Sequence, residues 1–263
     1  MKGLIITADD FGAAKEVNEA VERSHRDGIL TAASLMVSGL AVADAVARAK
    51  TMPNLRVGLH LTLVDDRPTL PAAQIPSLVD DNGMFRSDMA QAGAAMFFLP
   101  SVRKQLTAEI EAQFKAFAAT GLTLDHVNTH KHFHLHPTIA TLMFAIGARY
   151  GMNATRVPFE TDHAFAQYLR RRYRAKGMRV ADHVYGLRWS GAMTKERLDP
   201  ILDTLPEGLS EIYMHPATGP YSGSAKGYRY PEELAALTDV QIVEKIKSSG
   251  IACGGFADFA HAS

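Results

Sequence analysis

The stretch DHVNTHKHFHLHP, residues 125–137, holds five of the chain's eleven histidines and marks a point where a strand gives way to a helix. Leu122, Thr123, Leu124 and Val127 read as a short strand entering it. Pro137 disfavours helical geometry at His136 and suits the first turn of an apolar helix that runs to Tyr150. His126, His130, His132, His134 and His136 are all even-numbered, and in an extended chain such positions share one face at roughly 6.6 Å intervals. A helix would instead pair His126 with His130 and His132 with His136. Two plain readings are a disordered metal-binding loop and a run of satisfied core imidazoles. The third is a metal site, which needs ligands from elsewhere in the chain. The tract lacks the glutamate of H-E-x-x-H, which removes a zincin protease.

Working outward, short β-branched runs alternate with amphipathic helical patterns from end to end, the pattern of an α/β fold with parallel strands. Strands are expected near residues 4–8, 33–37, 56–63, 124–128, 154–158, 179–185, 210–215 and 251–256, and helices near 14–26, 41–50, 102–120, 137–150, 164–175, 194–205 and 232–248. Seven or eight βα units predict a single-domain, irregular (β/α) barrel of the TIM type over residues 1–263. One connection, 64–100, is far longer than the usual two to six residues and ends in AMFFLP. It reads as a lid-like insertion, with Phe97 and Phe98 as an apolar wall for substrate. A second loop, 217–233, carries Tyr221, Tyr228 and Tyr230 among Gly and Ser, a composition suited to stacking on sugars or lipids and shared with plain surface loops.

The chain is long enough to bury a core, and its 28 Lys plus Arg balance 28 Asp plus Glu. That balance argues against a nucleic-acid partner or a polybasic membrane anchor. A single cysteine excludes internal disulfides and cysteine-rich zinc modules, so a metal would be held by His, Asp or Glu. The start, MKGLIITADDFG, has an apolar run too short for a signal sequence, and no stretch is long enough to span a membrane. A cytoplasmic location is expected, compatible with transient membrane contact and with a homo-oligomer.

In such a fold chemistry gathers at the carboxyl ends of strands. The first strand ends in Asp9 and Asp10, the third carries His60, the fourth ends in the histidine tract and a later one ends in His215. Taken singly, the aspartates could cap a helix and each histidine could be structural. Together, two imidazoles and a carboxylate form an open site for a divalent ion. A neighbouring carboxylate could act as base and a histidine across the pocket as acid, as in amide or ester hydrolysis.

TADDFG (7–12), GLHL (58–61), DHVNTHKHFHLHP (125–137), TRVP (155–158) and EIYMHP (211–216) resemble, in order, the motifs of the YdjC-like carbohydrate deacetylases. The resemblance implies metal-dependent removal of an N-acetyl group from an amino sugar. It implies Asp10, His60 and His130 as metal ligands, Asp9 as base, His215 as acid and Arg156 as the group orienting Asp9. His132, His134 and His136 then become supports for the ligand or pocket wall. Within the family the chain most resembles the hopanoid-biosynthesis-associated branch (HpnK), which implies an N-acetylglucosaminyl hopanoid as substrate. A chito-oligosaccharide is the alternative. One ion is expected, zinc or magnesium first, cobalt or nickel next. Rival classes are a metal phosphoesterase, which lacks a phosphate cradle here, and a histidine-rich metal carrier, which would need no pocket. A glycosidase using the adjacent aspartates fails on carboxylate spacing.

Overall fold

Residues 2–259 are described by a computed structural model, so the first residue and the last four of the expected 1–263 domain lie outside the described residues. Seven parallel strands form one curled sheet: β1 (Lys2–Phe11), β2 (Ala32–Leu35), β3 (Arg56–Leu61), β4 (Leu124–Thr129), β5 (His183–Tyr185), β6 (Gly208–Met214) and β7 (Ala252–Cys253). Their order is β4-β3-β2-β1-β6-β5, and β7 adds to the amino-terminal end of β1 by pairing Gly3 with Ala252. Nine α-helices are described: α1 (Lys15–Arg26), α2 (Val42–Lys50), α3 (Met89–Phe98), α4 (Pro100–Ala119), α5 (Pro137–Gly147), α6 (Ala164–Arg174), α7 (Lys195–Asp203), α8 (Tyr230–Leu237) and α9 (Val240–Ser249). None of them is long and apolar enough to cross a membrane.

The α/β class and single domain hold, but the sheet is a half-barrel and not the expected barrel of seven or eight full strands. Residues 154–158 contribute only single parallel bridges, Val127 to Thr155 and Ala154 to Arg179. Pro158 has no N–H to offer a ladder, and the Phe159 N–H turns back onto the Val157 carbonyl. Of 179–185 only three residues form a strand. At 251–256 the run stops after two, because Asp125 draws the N–H groups of Phe256 and Ala257 into a short turn. The expected helix 232–248 is two helices. Asp239 accepts from the N–H groups of Gln241 and Ile242 and so starts α9 afresh.

Side-chain alternation along the strands separates two environments. Leu4, Ile6 and Ala8 of β1 and Val127 of β4 join the main core with the helices, whereas Ile5, Ala32, Ala154 and Phe256 form a small separate cluster. Above that cluster the same alternation places buried polar groups: Thr7 and Asp9, Ser34, His60, His126 and Asn128.

The long connection 64–100 is packed rather than loose. Ile75, Leu78, Val79, Phe85 and Met96 are buried in the main core. Glu109 of α4, itself buried, accepts from the N–H groups of Thr69 and Leu70 and ties the segment down. Of the AMFFLP stretch, Met96 is buried, while Phe97, Phe98 and Leu99 are at the surface.

Gly58 of β3 is required by a close approach. A Cβ there would lie 2.5 Å from the His126 ring, and that ring is pinned by Ser34 and Asp125. Gly58→Ala should therefore cost about 1–3 kcal/mol through overpacking. Urea unfolding checks this, with Gly121→Ala as a contrast: its Cβ meets nothing within 4 Å, so only its left-handed φ opposes the change.

Candidate active site

The rim forms where β1, β3 and β4 end. Asp10, the last-but-one residue of β1, adopts φ 64°, and Lys131 and His132 adopt 53° and 54°. These left-handed turns are unfavourable for residues with a side chain and tend to occur where structure is held for function. They let His130 turn back toward Asp10. His130 Nδ1 lies 3.2 Å and His60 Nε2 3.3 Å from the same oxygen, Asp10 Oδ1. One ligand atom from each of Asp10, His60 and His130 lies within 4.8 Å of the others. His60 Nδ1 is 2.7 Å from Asn128 Oδ1, which leaves Nε2 buried without a hydrogen-bond partner and facing the carboxylate. Two imidazole nitrogens and a carboxylate oxygen converging on one point fit a divalent cation. Burial works against the Asp10 charge, but His130 beside it outweighs burial and holds the carboxyl well below the usual range.

Asp9, adjacent in sequence, faces the other way. Arg156 Nη1 donates to Asp9 Oδ2 at 2.5 Å and Nη2 to Oδ1 at 3.1 Å. The same guanidinium donates to Glu211 Oε1 from Nε (3.0 Å) and Nη2 (2.9 Å), and Thr7 Oγ1 also donates to that oxygen. Arg156 is wholly buried and sits 4.1 Å from the centre of the Tyr213 ring. Burial again opposes ionisation of Asp9, and Arg156 with His60 overcomes it, so its pKa falls well below the carboxylate norm.

Asp9, Asp10, His60, His130 and His215 share one cavity of 460 Å³. Tyr221, Tyr228 and Tyr230 of the expected stacking loop line it, as do Asp65, Asp66 and Met84 of the 64–100 connection. His132 lines it too, with Nε2 bonded to the Tyr213 hydroxyl, and burial pushes its pKa well down. His215 has a buried Nδ1 without a partner and a pKa lowered by burial.

Other expected site residues lie elsewhere. His134 is fully buried between the Thr129 hydroxyl and the Arg156 carbonyl and is not among the residues lining the cavity. His136 precedes α5 and packs edge-on against Phe97. Phe97 and Phe98, 48% and 72% exposed, are outside the cavity lining. In their place Leu40 and Leu187 supply exposed apolar side chains at the cavity. Asn128, Glu211, Tyr213 and Glu233 were not singled out from sequence. Two-residue alternation back from His215 reaches Tyr213 and Glu211, and back from His130 reaches Asn128.

Two outcomes follow. Arg156→Met leaves Asp9 and Glu211 buried without their cation and should cost about 3–5 kcal/mol in urea unfolding. Glu233, buried where it accepts from the N–H groups of Met193 and His215, has its pKa pushed up to about 7 by burial. Between its ordinary value and about 7 the folded state holds a proton the unfolded chain has lost, so stability falls as pH rises through that window. Glu233→Gln should flatten that segment of a melting-temperature profile.

The YdjC-like protein family model matches residues 3–248. A carbohydrate deacetylase of Geobacillus stearothermophilus is 31% identical over 260 residues, covering 97% of each chain. A chitooligosaccharide deacetylase of Proteus mirabilis is 28% identical, covering 97% of this chain and 98% of its own. Among solved structures, an Enterococcus faecalis V583 protein described in connection with cellobiose-phosphate cleavage superposes with a TM-score of 0.81 at 26% identity, over 98% of this chain and 99% of its own. With the family model spanning most of its length and these relatives aligned almost end to end, the chain belongs to the YdjC-like family.

Proposed function

We propose that this protein is a metal-dependent hydrolase that removes the N-acetyl group from an N-acetylated amino sugar. The observation that carries the reading is the convergence of His60 Nε2, His130 Nδ1 and Asp10 Oδ1 on one point of a cavity, beside a second carboxylate clamped by Arg156. Relatives named as carbohydrate deacetylases support the reaction class. Asp10, His60 and His130 would hold one divalent ion, with zinc or magnesium favoured and cobalt or nickel as alternatives. When bound, such an ion polarises an acyl oxygen and lowers the pKa of water toward about 7.

The chain's own residues do the rest. Asp9, fixed by Arg156 so that it cannot rotate away, takes the proton from the attacking water. His215, also lining the cavity, protonates the amine nitrogen as the C–N bond breaks, and the products are acetate and a free amino sugar. His132 is held neutral and bonded to Tyr213, forming wall rather than ligand. Tyr221, Tyr228 and Tyr230 offer ring faces for the sugar.

The hopanoid glycolipid implied by the sequence resemblance needs an apolar contact for its aglycone. The geometry favours Leu40 and Leu187 for this, since Phe97 and Phe98 are outside the lining. The 64–100 connection contributes Asp65, Asp66 and Met84 to the cavity wall.

His60→Ala and His130→Ala should lose or greatly weaken zinc binding in chelator competition, while His132→Ala keeps it. Asp9→Asn should retain the ion yet lose roughly 10²-fold or more in acetate release from an N-acetylated sugar. Equal metal loss in Asp9→Asn and Asp10→Asn would remove Asp9 from the role of base. For the substrate, the ratio of kcat/KM between an N-acetylglucosaminyl lipid and a soluble chito-oligosaccharide should favour the lipid. It should drop in Leu40→Ser/Leu187→Ser and stay unchanged in Phe97→Ser/Phe98→Ser; a preference for the soluble sugar would return the reading to chito-oligosaccharides.

A further inference from the structure

Beneath the cavity a line of buried polar side chains crosses the inside of the sheet, and the chemistry above leaves it unexplained. Asn128 Nδ2 donates to Asp9 Oδ1 at 3.0 Å and to Ser34 Oγ at 2.9 Å, and its Oδ1 meets His60 Nδ1 at 2.7 Å. Ser34 Oγ lies 2.9 Å from His126 Nε2, and His126 Nδ1 lies 2.9 Å from Asp125 Oδ2. Asp125 also accepts from the N–H groups of Phe256 and Ala257. All five side chains of the line, from Asp125 to His60, are buried.

One arrangement of protons satisfies the whole line. The Asp9 oxygens receive Arg156, so Asp9 is an acceptor and the Asn128 amide must turn its NH2 toward it. The flipped amide would set its carbonyl oxygen against a carboxylate oxygen. Asn128 Oδ1 therefore faces His60, and because a carbonyl oxygen only accepts, the His60 proton sits on Nδ1. Nε2 is left with a lone pair directed at the Asp10 side of the cavity. Lower down, Ser34 accepts the second Asn128 N–H and has one proton to give, which goes to His126 Nε2. His126 then carries its own proton on Nδ1 and donates it to Asp125. Ser34, His126 and Asp125 have the composition of a hydrolytic triad, but Ser34 is wholly buried and its hydroxyl is engaged on both sides. The array is a strut.

We propose that Asn128 is a positioning residue that fixes His60 as its Nδ1–H tautomer, so that Nε2 stays available as a ligand, with Ser34, His126 and Asp125 holding Asn128 from below. The inference rests on the reading of Asp10, His60 and His130 as holders of a divalent ion. It adds a coupling: one amide touches both the ligand His60 and the proposed base Asp9, so their relative placement is set by a single side chain. Hydrogen-bond partners of ligand histidines commonly change metal affinity by roughly 10- to 100-fold when removed.

The test has a readout that needs no metal and no turnover. Long-range ¹⁵N–¹H imidazole correlations on the metal-free, full-length protein report each histidine's tautomer, and the His60 signals are identified by their loss in His60→Gln. Wild type should show His60 protonated at Nδ1. Asn128→Leu should show a tautomer mixture and bind zinc roughly 10- to 100-fold more weakly by chelator competition. Asn128→Asp still accepts from His60 and should keep the Nδ1–H form. A wild-type His60 protonated at Nε2 would overturn the proposal without any variant. So would a folded Asn128→Leu, checked by its melting transition, that keeps both tautomer and zinc affinity. Wild-type protein that binds none of zinc, magnesium, cobalt and nickel would instead bring down the metal reading on which the proposal stands.

Discussion

A guanidinium sealed inside the sheet organises this protein. Arg156 has no exposed surface, and an unpaired charge in that position would be prohibitive, so two carboxylates must come to it. Asp9 arrives from β1 and Glu211 from β6, neighbouring strands whose register pairs Ile5 with Glu211 and Thr7 with Tyr213. The ion cluster therefore locks β1 to β6 on the inner face. It also holds Asp9 at the cavity edge in one orientation. Two of the four tract histidines that do not converge on Asp10 stand around this same residue: His134 bonds the Arg156 backbone carbonyl, and His132 bonds the Tyr213 hydroxyl whose ring lies over the guanidinium.

The polar interior has a vertical order. At the bottom, Ile5, Ala32, Ala154 and Phe256 fill the space with small and apolar groups. Above them, Asp125, His126, Ser34 and Asn128 form a fully hydrogen-bonded line, and at the top Asp10, His60 and His130 converge with one buried nitrogen unsatisfied. Polar satisfaction below and an unsatisfied buried nitrogen above is the arrangement expected of a rigid support beneath a functional rim. Backbone strain follows the same division. The described non-glycine residues with left-handed φ are Asp10, Asp65, Lys131 and His132, all of them at the cavity.

Two long loops complete the cavity by different means. The 64–100 connection buries its own apolar residues and is tied to α4 by Glu109 through backbone N–H groups. The 217–233 loop is led by glycines and fixed where Glu233 accepts from the backbone of His215 and Met193. The first presents carboxylates to the cavity, the second tyrosine rings. A sugar bound between them would meet hydrogen-bond acceptors on one side and stacking surfaces on the other.

Sequence alone determined the α/β class, the helices that carry clear apolar periodicity, and the strand ends bearing Asp9, Asp10, His60, His130 and His215, because alternation and helical spacing are local properties of the chain. It also placed Pro137 at the start of α5. Tertiary structure decided the rest. Residues 154–158 failed to become a strand because Pro158 and the turn at Phe159 deny them a ladder, which leaves a half-barrel. The parity of the five histidines, sound for an extended chain, broke at Lys131 and His132, where left-handed geometry separates His130 from its neighbours. Phe97 and Phe98 looked like a substrate wall from composition, but they are not among the residues that line the cavity, and Phe97 packs edge-on against His136 at the start of α5. Asn128 and Glu211 were silent in the sequence for a related reason. A polar residue on a strand declares its chemistry only through partners brought from other strands, and those partners are set by the curl of the sheet around Arg156.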